Sequence, residues 1–231
     1  MRETKLHAII PAAGVGARMG AALPKQYLPL AGETILAHSL RRLLSLNNID
    51  RIVVALGPED DHWQAIDAKL RSRVLRVDGG AERADSVLAG LHALSEFAHA
   101  DDLVLVHDAA RPCVRVADIE LLINTVQREP KRGGLLATPV RDTMKRSDTA
   151  GAVLQTESRE LLWHAQTPQL FPLQALRDAI LSAQAAGVVI TDESSAMEWS
   201  GVQPQLVQGS DENIKITRPV DLFLAEQFLA R

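Results

Sequence analysis

The sequence predicts an α/β fold in which helices cover both faces of a mainly parallel sheet. Short apolar runs rich in β-branched residues recur along the 231-residue chain, and most are separated by segments with helical periodicity. Runs that are apolar at every position are typical of parallel strands, which are buried on both faces. Their alternation with helices places the strands in one sheet between two helical layers. The predicted strands are Leu6–Ile10, Ile52–Leu56, Val74–Val77, Leu103–His107, Leu135–Thr138, Val188–Ile190, Gln205–Val207 and Asn213–Thr217.

The segments between these runs have apolar residues at helical spacing. In the first of them, Leu36, Leu40 and Leu43 fall on one face of a helix, which the sheet would cover. A further helix is expected to begin near Ala84, after a glycine pair. The first of these helices is predicted over Thr34–Leu46, and the remaining ones over Val116–Val126, Leu173–Ala186 and Val220–Leu229.

Composition indicates an ordinary globular protein, which we expect to form a single domain over residues 1–231. The chain is 46% apolar and 23% charged, and its net charge of −4 argues against a general affinity for nucleic acid. Its one cysteine, Cys113, suits a reducing compartment. We find no signal peptide pattern and no apolar window of the ~18 residues that span a membrane. These features predict a cytoplasmic protein with neither nucleic acid nor membrane as a partner.

A glycine-rich turn follows the first predicted strand. Its sequence, PAAGVGARMG, carries Gly14, Gly16 and Gly20, and small residues of this kind let backbone N–H groups approach a phosphate. The spacing is one residue longer than the dinucleotide fingerprint G-x-G-x-x-G. The second strand also ends in VVALGPED, too far along to supply the acid that an NAD-dependent oxidoreductase needs. The cations Arg18 and Lys25 favour a phosphate site over a simple tight turn.

Charged and polar residues also follow the other strands, where ligands of parallel sheets bind. Ser86 and Arg83 lie near a helix N-terminus, which either binds an anion or is only capped. Asp108, at the tip of LVLVHD, either holds a divalent cation or closes a turn. Arg111 precedes a proline that favours extended backbone, which suits a phosphate contact. Lys215, within the last predicted strand, points either to solvent or into the crevice.

The region Pro139–Gln166, here called the arm, departs from the alternation of strands and helices. It contains two extended pieces around the polar turn SDTAGA. A long hairpin that leaves the core needs a partner to cover it, unless it is a flexible surface hairpin.

Taken together, several motifs resemble one enzyme family over about residues 8–225. They are PAAGVGARM with PKQYLPL, GGAERADSVLAGL, VHDAARP, PVRDTMKR, LWHAQTPQLF, TDESSAME and ENIKIT, and they occur in the family's order. The chain is similar to 2-C-methyl-D-erythritol 4-phosphate cytidylyltransferases of the non-mevalonate isoprenoid pathway. The resemblance implies a Rossmann-like nucleotidyltransferase fold and transfer of CMP from CTP to the polyol phosphate with release of pyrophosphate. It also implies Mg²⁺ as cofactor and a homodimer whose arm lends residues to the neighbouring active site.

The same resemblance assigns roles to residues that match the family's motifs. Arg18 and Lys25 correspond to residues that stabilise the transition state, and Arg159 and Lys215 to residues that position the polyol phosphate. CTP-binding positions are Ala12, Ala13, Gly14, Gly80, Ala81 and Ser86. Substrate positions are Asp108, Arg111, Thr143, Thr167 and Thr191, with Asp108 also the expected metal ligand. The chain departs from the family at Ala81, where members often carry aspartate, so base selectivity is unaffected only if this position acts through its backbone.

The chemistry that this family performs does not require a general base. A phosphate monoester has a second pKa of about 6, so at neutral pH the nucleophile is already mostly dianionic. The reaction needs positioning and charge neutralisation, for which Lys, Arg and Mg²⁺ are suited. We therefore expect His107 and His164 to be structural and Cys113 to be a packing residue. The alternatives are a ribitol-5-phosphate cytidylyltransferase, whose arm does not usually carry PVRDTMKR, and a non-catalytic dimeric nucleotide-binding protein.

Overall fold

The computed structural model describes residues 2–14 and 23–231, and these form an α/β fold of three layers. The strands are β1 (Leu6–Pro11), β2 (Pro29–Leu30), β3 (Glu33–Thr34), β4 (Ile49–Leu56), β5 (Leu75–Asp78), β6 (Leu103–Val106), β7 (Gly134–Pro139), β8 (Met144–Ser147), β9 (Val153–Glu157), β10 (Trp163–Pro172) and β11 (Gln205–Gln208). The helices are α1 (Ile35–Leu44), α2 (Ala68–Arg71), α3 (Arg83–Leu94), α4 (Val116–Val126), α5 (Leu173–Ala185), α6 (Glu193–Trp199) and α7 (Pro219–Leu229). Within the described ranges, 3₁₀ turns occupy Lys25–Tyr27 and Asp61–Ala65.

The central sheet has seven strands in the order β11-β7-β10-β6-β1-β4-β5. All neighbouring pairs are parallel except those of β10, which runs antiparallel to both β6 and β7. The mainly parallel α/β sheet predicted from the sequence is thereby confirmed.

Alternation of side chains along the strands divides the core between the two faces. Ile10 and Val54 face one layer, which contains α1 and α4. Ile9 and Val53 face the other, which contains α3 and α5. All four side chains are fully buried, so substitutions there would act on the whole sheet rather than on the site.

Two predicted strands are wrong, because their backbone groups bond elsewhere. The first, Val188–Ile190, follows Gly187, whose φ of +68° ends α5 in a left-handed turn. The Val188 N–H donates to Ala183 O at 2.9 Å and so closes that helix end instead of joining a ladder. In the second, Asn213–Thr217, the Ile216 N–H donates to Ala110 O at 2.9 Å in the loop after β6. Lys215 therefore lies on a loop that is tied to the site, not on a strand.

The strand β10 was not among the predicted strands. Its sequence, WHAQTPQLFP, mixes polar residues with a proline, which hides the apolar pattern of a central strand. Its pairing with β7 shifts register between Ala165 and Gln169, which accommodates Pro168. Trp163 already pairs with Pro139, so the return strand of the arm joins the central sheet three residues before Gln166.

Within the arm, β8 and β9 form a two-stranded antiparallel sheet and pair with no other described strand. Val153 and Leu154 on β9 are 62% and 63% exposed, and Leu161 beyond it is 93% exposed. An isolated two-stranded hairpin is marginal in water and these apolar side chains lack cover within the described chain. No helix among the described residues has the length and apolar character to cross a membrane.

Cys113 lies in a small apolar cluster with Leu30, Ile35, Ile216 and Ala225, under α7. Burial raises the pKa of its thiol to about 11, so almost no reactive thiolate forms at neutral pH. We expect Cys113 to react with a thiol reagent only when the protein unfolds. We also expect Cys113→Ser to keep its fold and activity while losing roughly 1–3 kcal/mol of unfolding free energy. Rapid labelling of the native protein, or a folded but inactive Cys113→Ser, would contradict a packing role.

Candidate active site

The turns that follow β1, β5 and β6 meet around one cavity of about 280 Å³ at the carboxyl ends of these strands. This is the location predicted from the sequence for ligands of a parallel sheet. Of the residues predicted for the site, its wall includes Ala12, Ala13, Gly14, Lys25, Gly80, Ala81, Ser86, Asp108 and Lys215. Arg18 falls outside the described residues.

One side of the cavity is a cradle of backbone and small side chains. Gly80 N donates to Ser86 Oγ at 3.2 Å, so the buried hydroxyl fixes the turn that leads into α3. A Cβ atom on Gly79 would lie 2.7 Å from Ser86 Oγ and 2.8 Å from Ala13 Cβ. Gly79 is therefore required where the turns after β1 and β5 approach each other. A narrow cleft with backbone groups at a helix N-terminus is suited to a phosphate or a nucleoside.

Gln26 anchors the opposite rim, a role that no pattern in the sequence indicated. Its Nε2 donates to Ala12 O at 2.8 Å, and its side chain is buried. Tyr27, also buried, closes the same 3₁₀ turn with a bond from its N–H to Pro24 O at 2.9 Å. These two anchored neighbours hold the backbone of Lys25 against the cavity.

Three cationic side chains surround Asp108 at the floor of the cavity. Lys215 Nζ lies 2.8 Å from Asp108 Oδ2, and Arg83 Nε lies 3.1 Å from Oδ1. Arg111 Nε lies 3.6 Å from Oδ2. Burial would raise the pKa of Asp108, but the charges of Arg83, Lys215 and Arg111 outweigh it and hold that pKa well below its usual range. Asp108 is therefore ionised at neutral pH and organises the surrounding positive charge.

His107 is a structural histidine, as expected from the sequence. Burial lowers its pKa to about 4, so the ring is neutral near pH 7. Its Nε2 lies 3.1 Å from Arg111 O, which can only accept, so Nε2 carries the proton. Its Nδ1 then accepts from the Thr167 hydroxyl at 3.0 Å, and Thr167 Oγ1 accepts from Asp108 N at 3.0 Å. This chain of bonds fixes Asp108 and leaves His107 no proton to deliver to a ligand.

Arg111 has a different environment from the one predicted. Its guanidinium donates to Asn213 O at 2.6 Å and to Ala165 O at 3.4 Å, and its side chain is only 12% exposed. It joins β10 to the loop that carries Lys215. A role for Arg111 in substrate binding stays a prediction, but in this conformation the side chain braces the site.

The remaining predicted residues lie away from the cavity wall. Among the described residues, Thr143 and Arg159 are on the exposed arm, where Arg159 donates to Arg141 O. Thr191 lies in the loop before α6, and it borders a second cavity of about 470 Å³ that also contacts Arg83. Within a single chain, the fold does not bring Thr143 or Arg159 to Lys25 and Lys215.

Arg83 and Glu193 were not predicted as a pair. Both Nη atoms of Arg83 bond to the Glu193 carboxylate, with Nη2 to Oε2 at 3.0 Å, and Glu193 is 2% exposed. Burial disfavours the charge on Arg83, but Glu193 and Asp108 together raise its pKa above the ordinary value. The guanidinium therefore stays charged between two carboxylates.

The described residues do not offer a ligand set for a resident metal. Over residues 2–14 and 23–231, no group of three or more His, Cys, Asp or Glu side chains is arranged to hold an ion. Asp108, the predicted metal ligand, already has cations on both oxygens. A role for Asp108 as a metal ligand therefore stays a prediction.

Comparison with known proteins agrees with the geometry. A family model described as 2-C-methyl-D-erythritol 4-phosphate cytidylyltransferase (IspD) matches residues 6–231. A relative of that name from Shewanella loihica is 53% identical, over 99% of this chain and 93% of its own length. One from Aeromonas hydrophila is also 53% identical, over 97% of this chain and 89% of its own length.

Solved structures of the same kind share the fold. A crystal structure of 4-diphosphocytidyl-2C-methyl-D-erythritol synthase superimposes with a TM-score of 0.86 at 36% identity, over 99% of this chain and 100% of that one. The Francisella tularensis 2-C-methyl-D-erythritol 4-phosphate cytidylyltransferase gives a TM-score of 0.83 at 35% identity, over 97% and 100% of the two chains. With a cationic cavity at the expected sheet edge and a match over nearly its whole length, this chain belongs to the 2-C-methyl-D-erythritol 4-phosphate cytidylyltransferase family.

Proposed function

We propose that this chain transfers CMP from CTP to 2-C-methyl-D-erythritol 4-phosphate in isoprenoid precursor biosynthesis. The products are 4-diphosphocytidyl-2-C-methyl-D-erythritol and pyrophosphate. The observation that carries the proposal is the convergence of Lys25 and Lys215 on one cavity beside a glycine-lined cradle. Such a site is built to bring two phosphate groups together.

The reaction follows from these charges. An oxygen of the polyol phosphate attacks the α-phosphorus of CTP, and the bond from that phosphorus to the bridging oxygen breaks to release pyrophosphate. The attacking dianion and the triphosphate repel each other, so cationic side chains lower the barrier by neutralising charge that gathers in the transition state. Lys25, with Arg18, serves the triphosphate, and Lys215 serves the acceptor phosphate. Asp108 holds Lys215 in place at 2.8 Å.

The cytidine is assigned to the cradle formed by Gly80, Ala81 and Ser86. Ser86 Oγ already accepts from Gly80 N and donates to Glu82 O at 3.3 Å. Ala81 has no polar side chain, so any selection of the base at this position uses its backbone groups.

The family name indicates 2-C-methyl-D-erythritol 4-phosphate as the acceptor, and ribitol 5-phosphate is the alternative acceptor to be tested. Pyrophosphate release should be measured with CTP and each polyol phosphate in separate reactions, and with CTP alone. We expect release only with 2-C-methyl-D-erythritol 4-phosphate. Release with ribitol 5-phosphate alone would support the other cytidylyltransferase, and CTP binding without release would support a non-catalytic nucleotide-binding protein.

We further propose that the protein is a homodimer and that the arm completes the partner's active site. The exposed Val153, Leu154 and Leu161 give the arm an apolar surface suited to a second copy. Thr143 and Arg159 on this arm would then reach the acceptor phosphate of the neighbouring site. A cytoplasmic location accords with the single, buried, free thiol of Cys113.

The divalent cation that the family resemblance implies would be bound mainly through phosphate oxygens of CTP, because residues 2–14 and 23–231 supply no group of three or more His, Cys, Asp or Glu side chains to hold it. Mg²⁺ commonly keeps several waters and takes most other ligands from substrate phosphates.

We expect EDTA to abolish turnover and Mg²⁺ to restore it. In Asp108→Asn, kcat should fall roughly 10²-fold because Lys215 and Arg83 lose their shared partner. The Mg²⁺ concentration for half-maximal rate should stay near its wild-type value. A large increase in that concentration would instead support direct ligation by Asp108, and full activity in metal-free buffer would exclude a metal requirement.

A further inference from the structure

Arg83 joins three segments that are distant in sequence. It is the first residue of α3, its two Nη atoms contact Glu193 at the start of α6, and its Nε contacts Asp108 after β6. Glu193 lies 110 residues from Arg83 and is almost fully buried. The reaction described above uses Arg83 only as a partner of Asp108 and gives Glu193 no role.

The division of the Arg83 donors matters for Lys215. A guanidinium fork and a carboxylate favour a bidentate pair, and Arg83 makes that pair with Glu193. Only Nε remains for Asp108, and it takes Oδ1, so Arg83 leaves Oδ2 to Lys215 at 2.8 Å and to the more distant Arg111 Nε at 3.6 Å. If Glu193 lost its charge, the fork would be free to take both oxygens of Asp108 and compete with Lys215 for Oδ2.

We propose that Glu193 is a positioning residue for cytidylyl transfer, which acts by holding Arg83 so that Asp108 keeps Lys215 in place. This inference rests on the proposed function of Lys215. It assigns a role in the reaction to a carboxylate that does not line the candidate active-site cavity.

The fold around Glu193 is held by other bonds. Asp192 caps α6 through Ser195 N at 2.9 Å and accepts from Gln169 Nε2 at 2.8 Å. Ser194 N donates to Gln169 Oε1 at 2.7 Å. The start of α6 is thus fastened to β10 without Glu193, so an isosteric change there should alter the charge arrangement more than the backbone.

The nucleotide cradle is also held independently. Ser86 fixes the turn at Gly80, and Glu82 with Asp85 forms a capping box at the start of α3. Loss of the Glu193 contact should therefore affect kcat more than KM for CTP. A general loss of structure would change both constants together with the Tm.

The first test compares Glu193→Gln with the wild type in turnover of CTP and 2-C-methyl-D-erythritol 4-phosphate. We expect kcat to fall roughly 10²-fold, the scale of a misplaced reacting group, with KM for CTP nearly unchanged. Glu198→Gln is the matched control, because Glu198 is an exposed carboxylate on the same helix that bonds to Ser194 Oγ at 2.6 Å. It should keep wild-type kcat. If Glu193→Gln does not fold, Glu193→Asp, which keeps the charge but is too short for the same fork, should show the kcat loss.

A double-mutant cycle then tests whether Glu193 acts through Arg83 or independently of it. Arg83→Met removes the group through which Glu193 acts, so Glu193→Gln combined with Arg83→Met should have a kcat no lower than Arg83→Met alone. Multiplied losses in the double variant would show independent action and overturn the proposal. Wild-type kcat in a folded Glu193→Gln or Glu193→Asp would also overturn it. An inactive wild type would count against the proposed function itself, whereas an active wild type with an unaffected Glu193→Gln would refute only the positioning role.

Discussion

Lys25→Ala is expected to lower kcat on the order of 10²–10³-fold, the range seen when one group that stabilises transition-state charge is removed. The loss should fall on kcat rather than on CTP binding, because charge gathers between the phosphates only as the new bond forms. The short turn at Lys25–Tyr27 is held by buried Gln26 and Tyr27, so the truncation should leave the backbone in place.

Steady-state kinetics and direct CTP titration together check this prediction. Lys131→Ala is the matched control, since Lys131 is an exposed lysine in the turn before β7, away from the cavity. It should keep wild-type kcat. A Lys25→Ala enzyme with near-normal kcat, or one whose whole defect is a weaker affinity for CTP, would show that Lys25 does not stabilise the transition state.

The second large effect is the return of activity when two inactive variants are mixed. If the arm acts across the dimer, Lys25 and Lys215 belong to one subunit and Arg159 to the other. Lys25→Ala and Arg159→Ala homodimers should each have little activity. In a mixed two-fold dimer, one site carries both defects and the other carries neither. Random pairing after joint unfolding and refolding should therefore restore about a quarter of the wild-type rate.

The control for this experiment mixes Lys25→Ala with a chain that carries both substitutions. No dimer in that mixture has an intact site, so its rate should stay at the background level. If the first mixture also stays at background although mixed dimers are shown to be present, Arg159 serves its own chain. The same result would contradict the proposed role of Thr143 in the partner's site.

The fold and the edge of the sheet that carries the site were predictable because they depend on local patterns. Apolar runs predicted six central strands, and the polar turns after them identified Gly80, Ser86 and Asp108 at the cavity. The carboxyl ends of parallel strands lie at one edge of the sheet, so the position of these turns directly after strands was enough to predict that they lie close together.

The failures have physical reasons. The apolar run Val188–Ile190 resembles a strand, but the left-handed turn at Gly187 uses the Val188 N–H to close α5. The antiparallel strand β10 was hidden because its buried polar residues are satisfied by specific partners, such as Thr167 with His107. No local pattern marks such residues as buried.

The charge arrangement at the site was also beyond local patterns. Glu193 and Arg83 are 110 positions apart, and Glu193 in TDESSAME looks like an ordinary acidic first-turn residue. Three cationic side chains from separate segments reach Asp108, and its expected role as a metal ligand stays a prediction. Only the three-dimensional fold shows that its oxygens are already engaged.

The most direct measurement of the central claim is identification of the product in a competition. The protein is incubated with CTP, Mg²⁺ and equal concentrations of 2-C-methyl-D-erythritol 4-phosphate and ribitol 5-phosphate, and the nucleotide products are analysed by mass spectrometry. We predict 4-diphosphocytidyl-2-C-methyl-D-erythritol with one pyrophosphate released for each molecule formed. CDP-ribitol as the main product, or recovery of unchanged CTP, would contradict the account.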